Sequence, residues 1–308
     1  MATILITEFM AEAAVAELDA AHPTDYRPTL VDQPTELAAA LAPVRALIVR
    51  NRTRVDTPLL AAAPKLEVVG RLGVGLDNID LAACAERGIT VIPATGANDL
   101  AVAEYVVTTA AVLLRGAYFA KAAMLDGAWP RQSSMGSELA GKTMGLVGLG
   151  AIARLVKAKA RALGMRVAAF DPYVPNGDNA WDGVTKLALE DLLATADIVS
   201  LHVPLTDATR NLIDAAAIAR LRPTSVLINA ARGGIVDEAA LATALREGRL
   251  GGAALDVFAT EPLTKAAAAV FQDTPNLILT PHIAGVTVES NERVSTLIAE
   301  QVLAALGG

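Results

Sequence analysis

The sequence has one cysteine, three histidines and no excess of basic residues, and these shortages limit what the protein can be. The single Cys84 cannot form an internal disulfide, which is typical of proteins from a reducing cytoplasm. A formal net charge of −7 argues against a general nucleic-acid-binding surface. His22, His202 and His282 are far apart, with no H-x-x-x-H or C-x-x-C pair, so we expect no metal site.

Long apolar runs are also missing, although 53% of the residues are hydrophobic. No run reaches the roughly 18 residues that a bilayer-spanning helix needs. The N-terminal stretch MATILITEFMAEAAV has no basic region and carries Glu8 and Glu12 within its apolar part, unlike a signal peptide. The sequence therefore predicts a cytoplasmic protein without a membrane partner.

What the sequence does contain is a regular alternation of short β-branched runs and alanine-rich helical stretches. In the first hundred residues, strand-like runs occur at 3–9, 46–51, 66–72 and 89–94, with helical stretches between them. This alternation predicts an α/β fold in which helices cover both faces of a parallel sheet.

A second series of strand-like runs begins after one long helical stretch, 99–127. These runs are at 142–148, 166–171, 197–203, 225–231, 252–258 and 276–280. Six strands with crossovers predict a doubly wound dinucleotide-binding domain. The final segment, ESNERVSTLIAEQVLAAL, is helical and can return to the first domain.

We therefore predict two doubly wound parallel-sheet domains with a cleft between them. The substrate domain, flavodoxin-like and discontinuous, is expected to comprise residues 1–97 plus 284–308. The Rossmann cofactor domain is expected to comprise residues 98–283.

The segment MGLVGLGAIARLVKAKA carries Gly148, Gly150 and Ala153 in a G-x-G-x-x-A pattern between a predicted strand and a predicted helix. The first glycine permits a tight turn, the second lets the backbone approach a pyrophosphate, and the third small residue allows close packing. Unpaired N–H groups at the helix start attract phosphates. We expect the next two residues, Ala151 and Ile152, to contact the cofactor as well.

An acidic residue follows at a suitable distance from this turn. Asp171 ends the next predicted strand, 23 residues after Gly148, close to the roughly 20 that are typical of a ribose-binding acid. A carboxylate there accepts hydrogen bonds from ribose hydroxyls and repels a 2′-phosphate, so the sequence favours NAD over NADP. The alternative is a structural turn followed by an incidental strand-end aspartate.

Three chemically suggestive residues follow later strands of the same predicted domain: Arg232, Glu261 and His282. Ligands of open α/β sheets bind at the carboxyl ends of strands, where these residues would converge. An imidazole can remove a hydroxyl proton, a carboxylate can orient that imidazole, and a guanidinium can grip a substrate carboxylate. The alternative for His282 alone is a packed or capping histidine.

The blocks GLGAIA, FDP, HVPLTDATRNLID, LINAARGGIVDEAAL, GAALDVFATEPL and TPHIAG resemble, in order, those of the NAD-dependent D-2-hydroxyacid dehydrogenases. The resemblance implies that Arg232, Glu261 and His282 are catalytic. It also implies cofactor contacts at Gly148, Gly150, Ala151, Ile152, Asp171, His202, Pro204, Thr209, Ala230, Arg232, Asp256, His282 and Gly285. For His202, a plain strand-end histidine remains the alternative. Ala153 stands where the family more often has glycine.

On the substrate side, the resemblance implies contacts at Arg50, Arg71, Val74, Gly75, Asn98 and Arg131. The segments VRNRTRVD, VGRLGVGLDNID and GAWPRQSSMGSELAGKT are most similar to the D-3-phosphoglycerate dehydrogenase branch. Two basic positions of that branch, Arg50 and Arg71, can meet a second anionic group. The ending PHIAGVTVESNERVS departs from that branch and is similar to relatives that act on other small hydroxyacids, including (S)-sulfolactate.

The resulting prediction is an NAD-dependent enzyme that transfers a hydride between nicotinamide and a small 2-hydroxyacid or 2-oxoacid with a second anionic group. The alternative is an NAD(H)-sensing binding protein of the corepressor type, built on the same scaffold. The resemblance also implies a homodimer, with the segment GAYFAKAAMLDGAWPRQ as the candidate interface. An ordinary surface helix and loop is the alternative for that segment.

Overall fold

The computed structural model describes residues 3–307, which fall into two compact units. Unit 1 spans Met1–Asn98 and Val286–Gly308, and unit 2 spans Asp99–Gly285. Each unit is built on its own parallel sheet, so the predicted fold class is confirmed.

Unit 1 contains a five-stranded parallel sheet. Its strands are β1 (Ile4–Ile6), β2 (Thr24–Tyr26), β3 (Ala46–Val49), β4 (Val68–Arg71) and β5 (Thr90–Pro93). Their order, β2-β1-β3-β4-β5, is the flavodoxin-like order. The edge strand β2 was missing from the predicted strands, because its three residues are polar or half-buried and form no apolar run.

Helices cover both faces of this sheet. They are α1 (Glu12–Ala21), α2 (Pro34–Ala40), α3 (Thr57–Ala62), α4 (Leu81–Glu86) and, from the end of the chain, α12 (Val288–Leu306). Alternate residues of β1 point to opposite faces: Ile4 and Ile6 pack in the cluster that contains α1 and α12, and Leu5 packs with α2, α3 and α4.

The C-terminal helix α12 lies close against β4 because that strand has a glycine at the contact. A Cβ atom on Gly70 would approach the side chains of Ile298 and Val302 to 2.8 and 2.9 Å, closer than side chains pack. The helix begins at a capping box formed by the Thr287 and Ser290 side chains.

Unit 2 contains a seven-stranded parallel sheet. Its strands are β6 (Thr143–Val147), β7 (Arg166–Phe170), β8 (Thr185–Lys186), β9 (Ile198–Leu201), β10 (Val226–Asn229), β11 (Gly252–Leu255) and β12 (Leu277–Leu279). The order β12-β11-β10-β9-β6-β7-β8 extends the doubly wound dinucleotide-binding arrangement by one strand. The short, exposed β8 was not predicted, since two polar residues carry no strand pattern.

Two layers of helices pack on this sheet. The helices of unit 2 are α5 (Asp99–Arg115), α6 (Lys121–Leu125), α7 (Ala151–Ala162), α8 (Leu189–Thr195), α9 (Ala215–Ile218), α10 (Glu238–Arg246) and α11 (Lys265–Ala268). One core cluster joins α5 and α7 to the sheet, and another joins α8, α9 and α10 to its other face. The chain reverses its direction of travel between β6 and β9, and dinucleotides bind at such a switch point.

The long helix predicted over 99–127 is interrupted. Helix α5 ends at Arg115, because Gly116 adopts a left-handed conformation with φ of 64°, and a 3-10 turn, Ala117–Ala120, precedes α6. In the described chain no single helix is long and apolar enough to span a bilayer; α5 and Ala117–Leu125 reach that length and composition only as a pair bent by 63°.

Candidate active site

The turn after β6 shows why its first glycine is needed. Gly148 has a φ of 93°, and a Cβ atom there would lie 2.5 Å from the backbone oxygen of His202. The turn after β6 and the segment after β9 are therefore in direct backbone contact. A larger residue would push the two loops apart at the switch point of the sheet.

The second glycine of the motif borders open space instead. No heavy atom lies within 4 Å of the position that a Cβ atom on Gly150 would take. Gly150 caps α7 without a side-chain hydrogen bond, and the first turn of α7 has no acidic residue. The N–H groups at this helix start, with its partial positive charge, thus suit the pyrophosphate of a dinucleotide. Ala153 is fully buried against the sheet, as the motif requires of its third small residue.

Asp171, directly after β7, is fixed by three backbone amides. One carboxylate oxygen accepts the N–H of Leu149 at 2.8 Å, and the other accepts the N–H groups of Tyr173 and Val174 at 2.8 and 3.1 Å. The aspartate therefore ties the glycine turn to the end of the neighbouring strand. Its remaining lone pairs are available to ribose hydroxyls.

The predicted cofactor contacts after β9 form a hydrogen-bonded loop. The His202 ring lies 3.0 Å from the Ser200 hydroxyl, and burial lowers the pKa of His202 to about 4, which keeps the ring neutral at physiological pH. Thr209 donates to the carbonyl of Pro204 at 2.6 Å and accepts the N–H of Thr206 at 2.8 Å. Their contacts to a cofactor stay predictions.

Two of the three candidate catalytic side chains touch. His282 Nδ1 lies 2.7 Å from one carboxylate oxygen of Glu261, and the other oxygen accepts the N–H of Phe258 at 2.9 Å. Partial burial raises the pKa of Glu261, but the hydrogen bonds from His282 and Phe258 and the positive charge of Arg232 outweigh it, so the pKa lies below its usual value. Glu261 is therefore an ionised acceptor at neutral pH.

A second glycine contact brings Arg232 next to this pair. A Cβ atom on Gly233 would lie 1.8 Å from the carbonyl oxygen of Phe258, so the loops after β10 and β11 are pressed together. Asn229 holds the same loop by donating to the carbonyl of Arg232 at 2.8 Å. In the sequence, the glycine directly after Arg232 was the feature that could have indicated the close contact between these two loops.

Asp256, one of the residues predicted to contact the cofactor, binds several backbone N–H groups of unit 2. It is only 1% exposed, and its carboxylate accepts the N–H groups of Ile283 and Ala284, each at 2.8 Å. It also accepts the Thr280 hydroxyl at 2.6 Å. Sequence reasoning missed Thr280, although it lies two residues before His282 and directly after β12.

The predicted substrate residues are divided between the units: Arg50, Arg71, Val74, Gly75 and Asn98 lie in unit 1, and Arg131 lies in unit 2. Strands β3 and β4 are paired so that Val49 lies beside Arg71, which places Arg50 and Arg71 at the same sheet edge. The Arg71 guanidinium folds over Gly73 and donates to the carbonyl of Leu72 at 3.3 Å. Arg131 lies in an exposed loop beside Trp129 and Arg115.

Among the described residues of unit 1, the buried side-chain oxygen of Asn98 accepts no hydrogen bond. A buried acceptor without a donor is costly, which favours a ligand that supplies the donor. No group of three or more histidine, cysteine or acidic side chains within residues 3–307 is arranged to hold a metal ion.

Comparison with known proteins identifies a family for this arrangement. Residues 107–284 match the family described as D-isomer specific 2-hydroxyacid dehydrogenase, NAD binding domain. An (S)-sulfolactate dehydrogenase of Chromohalobacter salexigens is 56% identical over 308 residues, which cover 100% of this chain and 99% of that protein. A D-3-phosphoglycerate dehydrogenase of Mycobacterium leprae is 42% identical over 307 residues, which cover 99% of this chain but only 57% of that protein.

Solved structures have the same fold. The crystal structure of a D-lactate dehydrogenase from Aquifex aeolicus, complexed with NAD and lactic acid, superposes with a TM-score of 0.86. It is 27% identical and covers 99% of this chain and 96% of that chain. The chain therefore contains a dinucleotide-binding domain of the kind that binds NAD in this family, and the residues around Gly150 and Asp171 fit that cofactor.

The open space at Gly150 generates a prediction. We expect Gly150→Ala to raise the Kd for NADH about tenfold or more, because the added methyl group occupies the space through which the backbone approaches the pyrophosphate. The free energy of unfolding should change by less than about 0.5 kcal/mol, since the methyl group meets no protein atom. NADH fluorescence titration and urea unfolding measure the two quantities.

Gly177→Ala is the matched control, because a Cβ atom there also meets open space but Gly177 is not part of the G-x-G-x-x-A motif. It should change neither quantity. An unaltered Kd for Gly150→Ala would show that this glycine does not face the cofactor.

Proposed function

The chain belongs to the D-isomer specific 2-hydroxyacid dehydrogenase family, and on that premise we propose that it oxidises a 2-hydroxyacid with a second anionic group, using NAD. The observation that carries the proposal is the 2.7 Å contact between His282 and Glu261, with Arg232 close enough to lower the pKa of Glu261. We infer (S)-sulfolactate as the leading substrate, because a relative that covers the whole chain acts on it. 3-Phosphoglycerate is the second candidate.

His282 is the proposed proton carrier. Its Nδ1 is engaged by Glu261, which leaves Nε2 to take the proton of the substrate hydroxyl. Bound NAD supplies the hydride acceptor. The 39% exposure of the His282 side chain gives the substrate access to the ring, and the ionised Glu261 stabilises the imidazolium that forms.

Arg232 is the proposed anchor for the substrate carboxylate. Its guanidinium can give two parallel hydrogen bonds to a carboxylate and attract the charge that develops on the neighbouring oxygen. Unit 2, as the cofactor domain, would hold Arg232 with the dinucleotide. In unit 1, the substrate contacts that we propose are the Val74 and Gly75 amides and Asn98, whose buried oxygen needs a donor.

We expect His282→Gln and Arg232→Ala to lower kcat/KM by about 10²–10⁴, the usual range for loss of a general acid or base or of a charge-stabilising group. The Kd for NADH should stay within about threefold, because the glycine turn and Asp171 are untouched. Stopped-flow absorbance of NADH formation and fluorescence titration separate the two effects.

His22→Gln in unit 1 makes the same side-chain change far from these residues in sequence and should leave both quantities unaltered. Wild-type turnover in His282→Gln would rule out the proposed proton transfer. Turnover of hydroxyacids by the wild type without a protein partner also separates an enzyme from an NAD(H) sensor of the corepressor type.

The surroundings of Arg50 support a substrate with a second negative charge. Its guanidinium donates to the side-chain oxygen of Asn291 at 2.8 Å, a neutral partner on the first turn of α12. The nearest buried carboxylate, Glu8, is already occupied, since its oxygens accept the backbone N–H groups of Arg50, Arg52 and Thr53. Burial lowers the pKa of Arg50, partly offset by Glu8, so its positive charge would gain from an anionic ligand.

Asn291→Asp tests this role with almost no change of shape. The new carboxylate would lie 2.8 Å from the Arg50 guanidinium and neutralise it. We expect kcat/KM for sulfolactate to fall at least about tenfold, while kcat/KM for lactate and glycerate changes by less than about threefold. Initial rates with the same NAD concentration and ionic strength measure both.

Asn176→Asp is the control, because Asn176 also accepts a hydrogen bond from a cation, Lys186, but lies on the surface of unit 2. This variant should leave kcat/KM unchanged for sulfolactate and for lactate and glycerate. If Asn291→Asp lowered kcat/KM for sulfolactate and for lactate and glycerate by the same factor, the anion-binding role of Arg50 would be contradicted.

We also infer a homodimer formed by the segment that follows α5. This segment, residues 117–135, exposes several large apolar side chains to solvent, which is unusual on the surface of a monomer. Leu125 is 77% and Trp129 is 74% exposed. Tyr118, Phe119, Met124 and Met135 extend the same patch. A second copy of the chain is the proposed occupant, and Arg131 would then reach the partner's site. We also propose a cytoplasmic location, because the single Cys84 is buried and free.

Light scattering after size exclusion should give about twice the chain mass of 31.8 kDa for the wild type and the chain mass for Leu125→Asp. The buried charge would destabilise the interface but not the folded chain. Tyr173→Asp, at an equally exposed position outside the segment, should remain dimeric. A monomeric wild type at tens of micromolar concentration would refute the proposed dimer.

A further inference from the structure

The turn that carries His282 has an unfavourable backbone conformation. His282 has a φ of 55°, in the left-handed region that residues other than glycine rarely adopt. Such a conformation persists only when its surroundings hold it in place. The backbone N–H of His282 donates to the carbonyl of Asp256 at 2.8 Å and to that of Thr280 at 3.0 Å.

The carboxylate of Asp256 holds the residues after His282. Its two oxygens accept the next two backbone N–H groups, those of Ile283 and Ala284, each at 2.8 Å. The carbonyl and the carboxylate of one aspartate therefore bind three consecutive amides. Rotation of this carboxylate would break its hydrogen bonds to the Ile283 and Ala284 amides.

The carboxylate is itself oriented by a chain of hydroxyl groups. Thr280 donates to one of its oxygens at 2.6 Å, and the Tyr105 hydroxyl lies 2.7 Å from the same threonine oxygen. A carboxylate can only accept, so the threonine uses its only hydroxyl proton to bond Asp256. Tyr105 must then be the donor to Thr280.

Tyr105 is suited to this task because it keeps its proton. Burial raises the pKa of Tyr105 to about 12 and outweighs the lowering effect of the hydrogen bond with Thr280, and the charge of Asp256 adds a smaller increase. Tyr105 lies on α5, whose buried face packs into the core of unit 2, so its hydroxyl is held rigidly. In a chain of hydrogen bonds that ends on a charged acceptor, each bond strengthens the next.

We propose that Tyr105 is a positioning residue for His282 and that it acts through the Thr280 hydroxyl. The tyrosine touches neither substrate nor cofactor in this scheme. It fixes the Asp256 carboxylate, the carboxylate fixes the turn, and the turn holds the imidazole on Glu261 at 2.7 Å. The inference rests on the proposed role of His282 as proton carrier.

Tyr105→Phe removes only the hydroxyl. We expect kcat for sulfolactate oxidation to fall about five- to tenfold, the fold-change that corresponds to one lost hydrogen bond, while the Kd for NADH stays within about threefold. Thr280→Val, which removes the hydroxyl from the middle of the chain, should reduce kcat about 10- to 100-fold. Thr280→Ser keeps the hydroxyl and should restore kcat to within about threefold of the wild type.

The double variant Tyr105→Phe/Thr280→Val decides whether the tyrosine acts through the threonine. Its kcat should equal that of Thr280→Val, because the tyrosine has nothing left to orient. Hydrogen exchange read by mass spectrometry gives a second measure that does not depend on turnover. Deuterium uptake by residues 280–285 should be faster in both single variants than in the wild type.

Thr109→Val is the matched control. Thr109 lies one helical turn after Tyr105 on α5, is buried, and uses its hydroxyl only to bond the backbone oxygens of Tyr105 and Val106. This variant should lose stability without a change in kcat or in exchange at residues 280–285.

Any of three results would overturn the proposal. The first is a kcat for Tyr105→Phe within twofold of the wild type, and the second is a kcat of the double variant reduced by the product of the two single-variant factors. The third is deuterium uptake at residues 280–285 that is the same in the single variants as in the wild type. Failure of the proposed function is a different result. In that case His282→Gln keeps its turnover, while Tyr105→Phe still speeds exchange in the turn.

Discussion

The Asp256 carboxylate is the group on which the candidate site of unit 2 depends. A carboxylate that is 99% shielded from water is stable only when hydrogen bonds replace its hydration, and Asp256 accepts three from its surroundings. All three donors lie just after β12. The hydrogen bonds that the buried carboxylate requires therefore hold the turn that carries His282, and this turn positions the imidazole against Glu261.

Glycine contacts set the rest of the geometry in unit 2. Gly148 and Gly233 allow backbones to touch where a Cβ atom would lie 2.5 and 1.8 Å from a carbonyl oxygen. Gly150 instead leaves space that no protein atom fills. The same residue type therefore packs loops at two positions and borders open space at a third, which the motif alone does not distinguish.

Charge is distributed differently in the two units. In unit 2 the carboxylate of Glu261 has two hydrogen bonds and a nearby cation, so it stays ionised without a ligand. In unit 1 the half-buried guanidinium of Arg50 has a neutral partner, Asn291, while Glu8 is saturated by backbone amides. Glu261 in unit 2 thus has a counter-charge within the protein, whereas Arg50 in unit 1 would gain from an anionic ligand.

The sequence by itself determined the fold class, the glycine motif and the strand ends that carry Arg232, Glu261 and His282. Strand and helix periodicities are local, and parallel strands place their carboxyl ends at one edge whatever the packing. Only the tertiary structure decided that α5 stops at Arg115, that short polar strands extend both sheets, and that Tyr105 meets Thr280. Those outcomes depend on contacts between residues far apart in the chain: 175 residues separate Tyr105 from Thr280, and no local pattern records such a pairing.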